Sequence, residues 1–130
     1  MYEALTDGLR VRVEPQYIED RSSPEESYYF WAYTVTIDNE SDASVRLLAR
    51  RWRITDGTGR TETVEGEGVV GQKPEIGPGQ SFSYTSGCPL RTPSGIMVGS
   101  YQMRDASGRL FDIAIPAFSL DSPFSTPALN

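Results

Sequence analysis

Along much of this chain, apolar and more polar residues alternate one for one. Leu9, Val11 and Val13 share one face of the first such run. Tyr29, Trp31, Tyr33, Val35 and Ile37 share a face of the second, interleaved mainly with smaller or more polar residues. A period of two belongs to half-buried strands. No window holds apolar residues at helical spacing for three turns, and the 12 glycines and 9 prolines are spread along the chain, so essentially no helix is expected.

The pattern continues downstream. After the turn cluster "DNESDAS", the stretch "VRLLARRWRI" puts Leu48, Trp52 and Ile54 on one face with Arg51 and Arg53 on the other, and Arg50 falls on the apolar side. "DGTG" (Asp56 to Gly59) closes a hairpin into "TETVEG", with Asp-Gly supplying the positive backbone angles of a tight turn. "IGPG" leads into "SFSYTSG", where Phe82 and Tyr84 point the same way. "DASG" turns "IMVGSYQMR" into "RLFDIAIPAF", whose Phe111, Ile113 and Ile115 face inward.

About seven strands separated by turn signals predict an all-β fold, an immunoglobulin- or fibronectin-type-III-like antiparallel β-sandwich. Trp52 on the third strand and Tyr101 on the sixth stand where such sandwiches keep a core tryptophan and a tyrosine bonded back to nearby backbone. Met103 takes the place of the antibody disulfide cysteine. The 130 residues form one expected domain, with the sandwich over about 8–120 and a partly ordered tail over about 121–130.

Charge and cysteine content narrow the partners. A net charge of -6 argues against non-specific nucleic-acid binding, which relies on Lys and Arg neutralising phosphates. Cys88 is the single cysteine, so no intrachain disulfide forms, as expected of a reducing compartment. The start "MYEALTDGLRVRVE" lacks the basic and apolar regions of a signal peptide. The longest strongly apolar stretch, Tyr28 to Ile37, has about half the roughly 20 residues of a membrane-spanning helix and reads as a strand. The expected location is the cytoplasm, with no membrane association.

The segments "AYTVTIDN", "LLARRWRITDGTG", "VEGEGVVGQKPEIGPGQSFSYTSG", "TPSGIMVGSYQM" and "IPAFSL", in this order and spacing, resemble the ApaG family of bacterial proteins from about Leu9 to Asp121. The resemblance implies a β-sandwich of the kind read above. Bacterial members are often encoded beside a diadenosine tetraphosphate hydrolase, and some are linked to cobalt resistance and magnesium efflux. Similar eukaryotic domains are appended to an F-box protein and to a polymerase-delta-interacting protein. These contexts imply binding rather than catalysis. This chain departs from the family pattern at Arg51, where many members carry His or an aromatic residue, and at Lys73, where an acidic residue is common.

"GEGVVG" (Gly66 to Gly71) matches the dinucleotide-binding glycine fingerprint, whose chemistry needs a helix N-terminus directly behind it. "QKPEIGPG" follows instead, and its prolines and glycines exclude that helix. Two readings remain. In one, the loop N–H groups at Gly66, Glu67, Gly68 and Gly71 form an anion nest for a nucleotide or pyrophosphate, helped by Arg50, Arg51, Arg53, Arg60 or Lys73 and opposed by the carboxylates of Glu65 and Glu67. In the other, the glycines shape a bend while Val69 and Val70 pack on the core.

Glu65 and Glu67 lack a third carboxylate partner for a divalent ion, and no metal or cofactor is expected. The chain has no histidine, which removes imidazole ligation and the commonest nucleophile activators, and Cys88 reads as a small buried residue. Arg50 on a core face needs either a carboxylate or an anionic ligand. The combined reading is a non-catalytic binding module for a protein partner or a phosphate-bearing small molecule. Its edge strands offer pairing to an extended segment or to a second copy as a homodimer.

Overall fold

The structure, a computed structural model, describes residues 2–124; residues 125–130 of the expected tail lie outside the described residues. Among the described residues there are nine strands: β1 Tyr2–Thr6, β2 Leu9–Tyr17, β3 Tyr29–Asn39, β4 Val45–Asp56, β5 Thr61–Glu67, β6 Glu75–Ile76, β7 Ser81–Leu90, β8 Ser94–Asp105 and β9 Leu110–Asp121. They form two antiparallel sheets, β1-β2-β3-β7 and β5-β4-β8-β9, with β6 added to the start of β4. The expected antiparallel sandwich is therefore present. Among the described residues, the helical content is two single turns of 3₁₀ helix, Glu19–Arg21 and Pro24–Glu26.

Seven strands match the alternation read from the sequence; β1 and β6 are additional. In β1 the largest aliphatic side chain, Leu5, faces solvent at 54% exposure, so its apolar signal points the wrong way. The strand forms because Asp7 and Gly8, with φ of 49° and 79°, make a two-residue hairpin turn that folds it onto β2. Pro15 sits in β2 past Val13, where the β1 pairing ends, so its missing N–H removes no bond to β1.

Inward side chains of both sheets meet in one core. Trp52 packs edge-on against Tyr33, with ring centroids 5.3 Å apart, and against Phe118 at 5.9 Å. Such tilted aromatic contacts place the positive ring edge on a neighbour's negative face. The expected core place of Trp52 holds, and its exposure is 2%.

Two bulges re-phase the second sheet. The β4–β8 register shifts between Leu47 and Ala49, so Leu47 is buried while Leu48 is only half-buried, and the inward set becomes Val45, Leu47, then Arg50, Trp52 and Ile54. The strict alternation had put Leu48 with Trp52; the extra residue of the bulge corrects this. The second shift lies in the β8–β9 pairing, where Met97 faces Phe118 but Gly99 faces Ile115, while on the β4 side the register is unbroken there and Gly99 lies opposite Trp52.

One side of the sandwich is closed and the other is open. β1 and β2 pack on β9, where the backbone N–H of Ala114 donates to Thr6 Oγ1 at 3.2 Å. The edge strands β5 and β7 on the other side make no comparable contact. β5 is exposed at six of its seven positions. β9 continues to Asp121, and beyond it the Ser122 N–H donates to Pro93 O at 2.9 Å while the Phe124 ring lies 6.4 Å from that of Tyr17.

A buried amide ties the loops together. Asn39 Nδ2 donates to Ala43 O and Ile76 O at 2.8 and 2.9 Å, and its Oδ1 accepts from the Ser41 N–H and hydroxyl. The turns at "DGTG" and "DASG" share one design. Asp56 Oδ1 accepts from Thr58 N, Thr58 Oγ1 and Arg60 N, and Asp105 Oδ1 accepts from Ser107 N, Ser107 Oγ and Arg109 N. The positive φ falls on the last glycine of each, Gly59 and Gly108 at 89°, and not on Gly57 as the Asp-Gly pair suggested. The turns are longer than two residues, and an aspartate side chain supplies the acceptor that closes them.

Candidate binding site

The glycine loop leaves the end of β5 directly opposite Arg50. Gly66 pairs with Arg50, and a Cβ on Gly66 would stand 2.8–2.9 Å from the guanidinium, so the arginine lies flat on the missing side chain. Arg50 Nη1 donates to Glu67 O at 3.1 Å and to Gly68 O at 2.9 Å. The expected carboxylate partner is not what this arginine finds. Backbone carbonyls take its protons, and among the described residues no carboxylate forms an ion pair with it.

The remaining glycines have separate reasons. Gly68 has φ +64°, and a Cβ there would lie 2.3 Å from Gln72 O. Val69 and Gln72 exchange backbone bonds of 2.8 Å in both directions around Val70 (φ 43°) and Gly71 (φ 78°), which makes a primed two-residue turn. Val69 is fully buried, whereas Val70 is exposed at 53%. The Gly68 N–H donates to Leu48 O at 2.8 Å, so the N–H groups of Gly68, Val69 and Gln72 are bonded within the protein.

The loop forms one wall of a cleft of about 290 Å³ on the open side of the sandwich, with Arg50, Tyr33, Tyr84 and Ser86 on the others. The Tyr84 and Tyr101 hydroxyls are hydrogen-bonded to each other behind it. Tyr101 thus pairs with a side chain across the sheets, not with nearby backbone as expected, because it sits well inside β8 and points into the core. Burial pushes the phenol pKa values of Tyr33, Tyr84 and Tyr101 up, and the Arg50 cation acts the other way on each. All three stay protonated at neutral pH; Tyr33 and Tyr84 line the cleft beside the cation, and Tyr101 lies buried behind it.

The other candidates are placed differently. Arg51 points to the outer face of the second sheet, where its Nε meets Glu65 Oε1 at 3.0 Å. Lys73 Nζ lies 3.4 Å from Glu67 Oε1, both solvent-exposed. The fold therefore brings Arg50, Glu67 and Gly71 to this cleft, seats Gly66 beneath the Arg50 guanidinium, pairs Lys73 with the exposed Glu67 carboxylate, and groups Arg50, Arg51, Gly66 and Glu67 along a second hollow of about 410 Å³ beside Ser100 and Gln102. Among the described residues, no three His, Cys, Asp or Glu side chains gather as a metal-holding group.

Tyr33, Tyr84 and Ser86 were not read as site residues from the sequence. Tyr33 and Tyr84 were legible as inward positions, but their meeting with Arg50 is a property of sheet stacking. Cys88 is buried, and burial first, then the nearby Glu62, raises its thiol to about 11, so it is a neutral thiol at ordinary pH.

These features define a small antiparallel two-sheet sandwich, open along one side, with an arginine-walled cleft between its edge strands. The ApaG domain model matches residues 19–105. Over all 130 residues, and over the full length of both chains, the sequence is 60% identical to Protein ApaG of Mesorhizobium japonicum and 52% identical to Protein ApaG of Beijerinckia indica subsp. indica. The chain belongs to the ApaG family. A crystal structure of an ApaA protein from Bordetella pertussis superposes with a TM-score of 0.87 at 44% identity, covering 90% of this chain and 95% of that one. Among the described residues, no helix is long and apolar enough to cross a membrane.

Proposed function

We propose that this protein is a non-catalytic, cytoplasmic binding module that docks a protein partner along the open β5–β7 side of the sandwich. The observation that carries this reading is β5. It is an edge strand exposed on both faces, and its inward positions Glu62, Val64 and Gly66 overhang the gap between the sheets instead of being covered by the first sheet. An extended partner segment gains backbone hydrogen bonds on such an edge and side-chain contacts in the gap. A second copy of the chain would dock the same way. The family's association with cobalt resistance and magnesium efflux then acts through the partner.

The test is affinity capture from the protein's own cell extract with parent and Thr63→Pro baits, followed by titration of the purified partner. The Gly68 N–H to Leu48 O and Asp56 N–H to Arg60 O bonds set the phase of the β4–β5 ladder, so the odd-numbered residues of β5 present their N–H groups to the open side. Proline at Thr63 removes one of these outward donors and blocks strand addition. The expected result is one reproducible partner held by the parent and released by the variant. A partner that binds both equally, or self-association unchanged by Thr63→Pro in sedimentation, would place the surface elsewhere.

A second reading, a nucleotide or pyrophosphate at the glycine loop, is favoured by the Arg50 cation beside Gly66, Gly68 and Gly71. Titrating diadenosine polyphosphate should then shift those three amide signals. Unmoved signals at millimolar ligand remove it.

A further inference from the structure

We propose that the Arg50 cleft is a carboxylate-binding pocket that takes the side-chain or C-terminal carboxylate of an organic ligand, in the first instance a peptide lying on the β5–β7 edge. The peptide source rests on the docking reading above; the pocket's preference for carboxylate does not.

The charge balance carries the choice of anion. Arg50 is a partly buried guanidinium with no carboxylate partner among the described residues, in a chain where acids outnumber bases 18 to 12. A buried cation is stable when hydrogen-bonded and paired, and here only Nη1 is taken up, by two carbonyls that carry partial rather than full charge. Among the described residues, Nε and Nη2 have no acceptor. Two parallel donors on one edge of a guanidinium match the two oxygens of a carboxylate.

One cation suits a monoanion. Pyrophosphate would bring two or more negative charges to a cleft with a single cation, beside a Glu67 carboxylate that lies 3.4 Å from Lys73 Nζ and already occupies that ammonium. The walls also favour an organic acid. Tyr33 and Ser86 supply hydroxyls, while Val70 and the Tyr84 ring supply apolar surface that a carbon skeleton covers and a bare phosphate does not.

The test uses N-acetylglycine, which presents a peptide C-terminal carboxylate, its uncharged amide, and inorganic pyrophosphate, each titrated into isotopically labelled protein at constant ionic strength. The expected result is a saturable shift of the Arg50 Nε–H signal and of the Val70, Gly71 and Ser86 amides with N-acetylglycine, and none with the amide. Arg50→Gln should weaken this binding about tenfold or more, since one partner of a charge-assisted pair is lost. Tyr33→Phe, which leaves the loop anchor intact, should weaken it by a smaller factor. Pyrophosphate saturating at lower concentration than N-acetylglycine overturns the assignment, as does the absence of any saturable shift or equal binding by the amide. A protein partner lost on Thr63→Pro but unaffected by Arg50→Gln would sink the pocket as the peptide's anchor while leaving the docking surface standing.

Discussion

Arg50 rests on Gly66. The guanidinium occupies the space a Cβ would fill, with Nη2, Cζ and Nη1 all 2.8–2.9 Å from that position, and from there Nη1 reaches the carbonyls of Glu67 and Gly68. The first glycine of "GEGVVG" is thus a seat for an arginine, and the arginine in turn holds the loop's exit from β5.

Gly66 and Gly68 should respond differently to alanine. In Gly66→Ala the obstacle is the far end of a flexible side chain, so stability should stay within about 1 kcal/mol of the parent while Arg50 moves. Gly68→Ala combines left-handed backbone with a clash against Gln72 O and should lose roughly 2–4 kcal/mol. Denaturant midpoints of the two variants decide this; equal losses would contradict the loop geometry.

Gly99 is the tightest backbone approach in the second sheet. A Cβ there would sit 2.2 Å from Arg51 O and 3.2 Å from the Trp52 ring. Neither β4 nor the packed indole can yield, so Gly99→Ala should lose roughly 3 kcal/mol or more. Urea unfolding followed by tryptophan fluorescence reads both the stability and the displaced ring.

Asn39 is 1% exposed and its side chain makes four hydrogen bonds. Asn39→Ala strips partners from the carbonyls of Ala43 and Ile76 and from Ser41, for an expected loss of about 2–4 kcal/mol. Ser41→Ala removes a hydroxyl bonded to the same amide and should lose about 1 kcal/mol by the same thermal or chemical denaturation.

The twin aspartate turns set an acid limit. The Ser107 hydroxyl first, then the Arg109 and Ser107 N–H groups and the Arg109 guanidinium, hold Asp105 down from 3.8 to about 2; Asp56 is lowered chiefly by the Thr58 hydroxyl. The unfolded chain takes up these protons more readily. Their stabilisation is therefore fully present above the unfolded pKa and is lost as pH falls through the folded one. Stability should decline between pH 3.8 and about 2 for Asp105, and Asp105→Asn should flatten that part of the curve. A variant as acid-sensitive as the parent would remove the turn as a cause.

Six of the seven strands were legible because each buries one face, and a period of two then writes burial into the sequence directly; β5, exposed at six of its seven positions, was legible from the Asp-Gly turn before it. β3 shows this best: every odd residue from Tyr29 to Asn39 is buried and every even residue between is not. β1 was hidden because Leu5 faces solvent, and β6 because two residues carry no period. The phase of β4 was misread at Leu48 because a bulge inserts a residue without changing composition.

For the candidate site, the sequence by itself determined the parts: a glycine loop that no helix follows, an arginine on an apolar face, no histidine anywhere, and motif runs that mark the family. Only the tertiary structure decided how they meet. Gly66 and Arg50 are 16 residues apart and touch through a strand register; Tyr33 and Tyr84 reach the same cleft from the opposite sheet. Local periodicity reports which way a side chain points relative to its own strand. Which side chain it then faces depends on register, bulges and the stacking of two sheets, which are set by long-range packing.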